Sequence, residues 1–258
     1  MSLLTNVAKK TAPRLYEIMR RSFGWSGKHE RLCQVFTNRY GRRVLAGPFI
    51  GMDYVHEAAG SAYIPKLLGC YEAEIHPFLE KALQRQHEII VDIGCAEGYY
   101  AIGLALRCPR SRIFAFDLDA SARQLCQQMS ELNGVSAGVT IQGFCNCTSL
   151  REIPLENSLV ICDVEGYEDE LLNLETVPSL EYADIIVELH EKKQPGVTSR
   201  VLSRFSKTHE MTVIDAVRRS SDEFPLLHFL PNSEQRMALM ERPDGMQFAF
   251  LQAYRTHG

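Results

Sequence analysis

The chain has 258 residues, 45% of them hydrophobic and 23% charged. That composition fits an ordinary globular protein, with length for one large α/β domain and an extension, or for two small domains. No apolar run reaches the roughly 18 residues a bilayer span needs, and the N-terminus lacks the apolar core of a secretory signal, so a soluble, cytoplasmic protein is expected. The net charge of −4 is unevenly placed: residues 1–50 carry ten Lys and Arg against two Glu, leaving 18 basic and 30 acidic residues beyond. Such a basic segment could meet nucleic acid, anionic lipid or an acidic substrate. The segment does not read as an aromatic-interleaved nucleic-acid patch, and a solvated helix face docked on the acidic body is favoured.

Taken in chain order, residues 3–40 read as helical, with Leu15, Ile18 and Met19, then Leu32, Val35 and Phe36, at helical spacing. Gly24-Trp25-Ser26-Gly27 divides them into two helices. Residues 41–70 are Gly-rich and read as an irregular wrap around the core. A helix is expected over 72–84, with Ile75, Phe78, Leu79 and Leu83 on one face. The extension and cap are therefore drawn at 1–84 and a catalytic domain at 85–258.

From Glu88 onward, short apolar runs alternate with helical stretches. Strands are expected at 89–93, 113–116, 139–144, 159–163, 185–189, 211–217 and 246–253. Helices are expected near 99–107, 120–132, 168–175 and 198–208. The alternation predicts a mostly parallel seven-stranded sheet covered by helices on both faces. No clear helix joins the last two runs, which suits a closing antiparallel strand. The eight cysteines contain no C-x-x-C pair and read as reduced core thiols. His29, His56, His76, His87, His209, His228 and His257 lack convergent partners in sequence and read as surface or core residues.

The first strand leads into Asp92-x-Gly94-x-x-x-Gly98. Gly94 permits a sharp turn and close ligand approach. Gly98 opens the following helix, where backbone N–H groups can meet a polar ligand. The spacing is not the G-x-G-x-x-G of a dinucleotide turn. It suits a nucleoside with an amino-acid tail better than a pyrophosphate. The second strand ends in Asp117, 25 residues after Asp92, where a carboxylate can accept from both ribose hydroxyls. Asp119 is the reserve candidate, and Asp117 could cap the next helix instead or as well.

These residues resemble the class I S-adenosylmethionine-dependent methyltransferases. Asp163-Val164-Glu165-Gly166-Tyr167-Glu168, Val187-Glu188-Leu189-His190 and Gly69-Cys70-Tyr71-Glu72 resemble the FkbM-like branch, the likeness spanning roughly 47–191. The resemblance implies a Rossmann-like fold and S-adenosylmethionine held by Asp92, Gly94, Cys95, Glu97, Gly98 and Asp117, with Tyr71 and Glu72. It also implies an oxygen acceptor on a small or carbohydrate-like molecule. The sequence departs from it at Ala96 and Glu97, where many relatives carry Asn and an apolar residue.

Asp163 and Glu165 fall two apart at one strand end, as do Glu188 and His190 at the next, and residues i and i+2 share a strand face. Their convergence leaves three readings open. One group is a general base, with His190 best matched in pKa. The cluster could instead hold a divalent metal, magnesium or manganese by its O and N donors. It could also be a structural network. A nicotinamide-dependent oxidoreductase and a non-catalytic nucleoside- or partner-binding module are the rival functions.

Overall fold

The protein is described by a computed structural model covering residues 27–59, 61–241 and 245–254. The expected first helix, its Gly24-Trp25-Ser26 break and the bases Lys9, Lys10, Arg14, Arg20 and Arg21 lie outside the described residues, as does His257.

The chain runs through α1 (Gly27–Tyr40), α2 (Tyr63–Leu68) and α3 (His76–Leu83), then β1 (Ile89–Ile93), α4 (Tyr99–Arg107), β2 (Arg112–Phe116), α5 (Ala120–Leu132) and β3 (Val139–Gln142). It continues through α6 (Cys147–Arg151), β4 (Ser158–Cys162), α7 (Glu168–Leu171), β5 (Asp184–Leu189), α8 (Val197–Phe205), β6 (His209–Asp215), α9 (Asn232–Ala238) and β7 (Gln247–Ala253). Seven strands form one sheet in the order β3-β2-β1-β4-β5-β7-β6. The pairs among β1 to β5 are parallel, and β7 runs antiparallel between β5 and β6.

Every residue of β1, β4 and β5 is buried, as their unbroken apolar character requires of strands covered on both faces. Alternate residues feed two separate cores. Ile90, Ile113, Leu159, Ile186 and Phe250 pack with Phe36 of α1, Leu79 of α3, Ile102 of α4 and Met129 of α5. Val91, Val160, Val187 and Leu251 pack with Leu150 of α6, Leu171 of α7 and Val201 and Phe205 of α8. Residues 32–83 thus share one core with the sheet. At the strand starts, buried Asp184 accepts from Arg85 (2.6 Å) and Ala253 N (3.0 Å) and faces His87 Nε2 (2.9 Å), a tie far from the site.

The structure departs from expectation in its short helices. The 41–70 wrap contains α2, and α6 and α9 appear where no helix is expected. The link between β6 and β7 therefore does carry a helix. The helix expected at 168–175 stops at Leu171 because Leu172 leaves helical geometry (ψ 67°). After β1 the chain adds strands outward to β3, then returns to place β4 on the other side of β1. This reversal opens a crevice beyond the C-terminal ends of β1 and β4, where ligands of such sheets bind.

Candidate active site

Gly94 ends β1 with φ 87°, and a Cβ there would sit 1.8 Å from the Asp163 carbonyl oxygen. The glycine is therefore required by the loop after β4, before any ligand enters. Gly98, the N-cap of α4, has φ 97° and no side chain to cap the helix. Asp92 supplies that cap from the strand, its Oδ2 accepting from Ala101 N at 2.9 Å. Burial pushes the Asp92 carboxyl up to about 7, aided by Asp117 and Asp163 and opposed by the Ala101 amide and Lys66.

The turn commits its own donors. Gly94 N and Cys95 N donate to Phe116 O, Gly98 N donates to Cys95 O, and Ile102 N donates to Gly98 O. Gly98 is thus not the ligand donor expected of it. A Cβ there would lie 2.8 Å from Cys126 Sγ, so the glycine allows α5 to pack closely.

Asp117 follows β2, and both its oxygens are oriented by backbone. Oδ2 accepts from Ala96 N (2.9 Å) and Oδ1 from Asp119 N (2.7 Å). Each carboxylate oxygen keeps a further lone pair. Asp119 caps α5, accepting from Ser121 N at 2.8 Å, which leaves Asp117 to face the crevice. Burial raises the Asp117 carboxyl despite the two amides.

Glu97 turns the other way. It is fully buried and accepts from Tyr54 Oη (2.5 Å), Ala59 N (2.9 Å) and Lys66 Nζ (2.5 Å). It does not line the crevice, contrary to the expectation that it touches the cofactor; Lys66 does. Tyr71 and Glu72 line it as well. Glu72 adopts φ 50° and its Oε2 accepts from Tyr100 Oη. Its amide donates to Glu241 Oε2 at 3.0 Å, and Arg219 bridges Glu241 and Glu74. Burial pushes the Glu241 carboxyl up to about 7.

Asp163, Glu165, Glu188 and His190 do converge, though not by strand alternation alone. β4 ends at Cys162, and Glu165 (φ 56°) and Gly166 (φ 108°) fold the chain back. His190 Nε2 lies 3.2 Å from Glu165 Oε2, 3.6 Å from Glu188 Oε1 and 3.7 Å from Asp163 Oδ1. Its Nδ1 lies 2.5 Å from Glu168 Oε1, and Gly166 N donates to the same oxygen at 3.0 Å. Burial pulls the His190 pKa down, but Glu168 and Asp163 outweigh it, and the net shift is upward. Lys193 pairs with Glu165; burial lowers its pKa against the pull of Asp163. Asp163, Glu165 and His190 each offer a ligand atom within 4.8 Å of the others, the geometry of a metal triad.

One cavity of about 390 Å3 joins these parts. Gly94 and Cys95 line it after β1, Asp117 after β2 and Asp163 after β4, with Glu188 and His190 at the end of β5, Phe248 from β7, and Lys66, Tyr71 and Glu72 from the segment before α3. The volume suits a small-molecule ligand.

No protein-family profile matches the chain, and no curated protein matches it. Among solved structures the chain is similar to the O-methyltransferase TomG from Streptomyces achromogenes in complex with SAM, at 17% identity over 68% of this chain and 77% of that one (TM-score 0.45). It is also similar to an O-methyltransferase from Bacillus cereus in complex with SAH, at 12% identity over 88% and 91% (TM-score 0.46). A third is an rRNA methylase from Streptococcus thermophilus, at 10% identity over 70% and 97% (TM-score 0.47).

Two residues of the site escape sequence reasoning. Glu168, fully buried, fixes the His190 ring; its only sequence signal is membership of the Asp163–Glu168 segment. Lys66 belongs to a six-residue helix too short to show a period. Among the described residues no helix is long and apolar enough to cross a membrane.

Proposed function

We propose that the chain is an S-adenosylmethionine-dependent methyltransferase acting on a hydroxyl of a small, carbohydrate-like acceptor, in the manner of the FkbM-like proteins it resembles. One observation carries the reading: a single cavity holds a backbone-oriented carboxylate, Asp117, at one end and a carboxylate-oriented imidazole, His190, at another, with the Gly94 turn between. The residues fit the cofactor. Gly94 lines the cavity beside Asp163, Asp117 presents lone pairs to a ribose, and the acidic wall suits a sulfonium cation. Residues 27–84 act as a cap that brings Lys66, Tyr71 and Glu72 to the cavity.

The bound cofactor supplies an activated methyl group. The protein holds the acceptor in line and removes its proton. Glu168 accepts from His190 Nδ1–H, which fixes the tautomer with the Nε2 lone pair free to take that proton. The cofactor would supply the methyl group to the acceptor oxygen, and His190 Nε2 would hold the proton that the hydroxyl gives up. The imidazolium then lies within 3.2–3.7 Å of Glu165, Glu188 and Asp163. A second reading, with Asp163, Glu165 and His190 ligating a divalent cation, is favoured by their mutual distances. The Lys193 ammonium already paired with Glu165 supports acid–base work instead.

The test measures S-adenosylhomocysteine affinity and methyl transfer in two variants. Asp117→Ala should weaken affinity by about 1.5–3 kcal/mol, the value of hydrogen bonds to a charged group. His190→Ala should leave affinity near that of the parent and reduce turnover about 10²–10⁴-fold. Retained affinity in the first, or full turnover in the second without metal dependence, would reject these roles. Loss of turnover with chelator and its return with magnesium or manganese would select the metal reading.

A further inference from the structure

We infer that Lys66 is the receptor for the carboxylate of the cofactor's amino-acid tail, and that Glu97 is its positioning residue. The inference rests on the cofactor reading above and goes beyond it in naming what recognises the tail. A carboxylate bound beside the Gly94 turn would ordinarily draw on backbone amides at the start of the helix. Here those amides are largely committed. Gly94, Cys95, Gly98 and Ile102 donate to carbonyls, while Ala96 and Ala101 donate to Asp117 and Asp92. A side-chain cation gives an anion at this wall the full charge that the remaining amides lack.

Lys66 is the cation at that wall. It lines the cavity yet is only 2% exposed. Its ammonium donates to Ser61 Oγ (2.6 Å) and Glu97 Oε1 (2.5 Å), two of the three protons it carries. The Nζ lies 4.8 Å from the Tyr71 ring centre and 5.6 Å from that of Tyr99. Four groups thus fix one charge against the cavity. The other lysines on the lining, Lys192 and Lys193, stand by Gly245 and Glu165, with the His190 cluster.

A buried ion pair of this kind is a poor device for stability alone, because apolar residues of similar volume often do as well. On a cavity wall it serves recognition, holding a desolvated cation where an anion can reach it. Glu72 lines the same wall, so a cation and a carboxylate together match a zwitterionic tail with its own carboxylate and ammonium. The arrangement also gives a reason for Glu97, the acid at which the glycine turn departs from the family it resembles. Glu97 carries the counter-charge that keeps Lys66 in place.

The test compares three ligands by calorimetry on the full chain: S-adenosylhomocysteine, its decarboxylated analogue, and 5′-methylthioadenosine, which has no amino-acid tail. The parent should prefer S-adenosylhomocysteine over the decarboxylated analogue by about 10–100-fold, the worth of a charge-assisted hydrogen bond. Lys66→Gln should erase that preference and keep the parent's affinity for 5′-methylthioadenosine. Lys66→Gln with Glu97→Gln, which leaves no buried charge unpaired, should behave the same way if the single variant folds poorly. A preference that survives in the double variant overturns the assignment, as does an equal loss for all three ligands. A parent protein that binds none of the three overturns the cofactor reading itself, and this inference with it.

Discussion

Replacing Glu168 by Gln isolates the charge behind His190. The carboxylate is fully buried, and a single oxygen, Oε1, receives both His190 Nδ1 (2.5 Å) and Gly166 N (3.0 Å). A glutamine oxygen in the same place keeps both contacts and the ring tautomer, so what disappears is the negative charge. A hydrogen bond to a charged group is worth about 1.5–3 kcal/mol and a neutral one about 0.5–1.5. The difference, about 1–2 kcal/mol, is stabilisation the emerging imidazolium loses, and it lowers turnover about 5–30-fold. The pH profile supplies a second signature. A base works only when neutral, and the His190 pKa lies above its ordinary 6.5 because Glu168 and Asp163 outweigh burial. The acid limb of kcat therefore lies above pH 6.5 in the parent and moves to lower pH in Glu168→Gln. Because Glu168 is not on the cavity lining, S-adenosylhomocysteine affinity should stay within about twofold, well under one hydrogen bond's worth. An unmoved acid limb, or affinity falling in step with turnover, would refute the positioning role.

Gly94→Ala should unfold or misassemble the protein, with ligand loss as a consequence. The added Cβ would meet the Asp163 carbonyl at 1.8 Å, and the backbone there has φ 87°; a folded Gly94→Ala protein by circular dichroism and thermal melting would contradict this contact. Asp92, pushed up to about 7, is partly protonated near neutrality, so a bound sulfonium cation should expel that proton. Calorimetry at pH 7 in two buffers of different ionisation enthalpy should show more proton release with S-adenosylmethionine than with uncharged-sulfur S-adenosylhomocysteine, and equal release would remove Asp92 from the field of the sulfonium.

The central strands β1, β4 and β5 were legible because they are apolar on both faces and bounded by turn residues; the span expected at 89–93 is the observed β1. Helices long enough to repeat, such as α4 and α5, were legible from their apolar period. α2, with six residues, and α6, with five, are shorter than two turns, so they show no 3.6-residue period. Asp92, Gly94 and Asp117 could be expected on one cavity wall because strand ends fix where they lie. Glu97 was placed wrongly because its direction depends on α4, whose start is capped from Asp92 and whose outer neighbours come from residues 54–66. Glu168 reaches His190 only because two successive left-handed residues, Glu165 and Gly166, reverse the chain. Sequence periodicity carries no information about such a reversal.

The charge around the cavity connects binding to turnover. Its lining carries eight carboxylates against three lysines, and burial, with a smaller push from neighbouring carboxylates, raises Asp92, Asp117 and Glu241. Each of those shifts is free energy stored against ionisation, and a cationic ligand relieves it. On the proposed chemistry the ligand enters as a sulfonium and leaves as a neutral thioether. The same carboxylates that favour entry therefore lose their hold once the methyl has moved. Lys66 and Lys193 qualify this field in two places. One pairs with Glu97 and the other with Glu165 beside His190, and the acidic excess that remains on the lining is what the proposed sulfonium would meet.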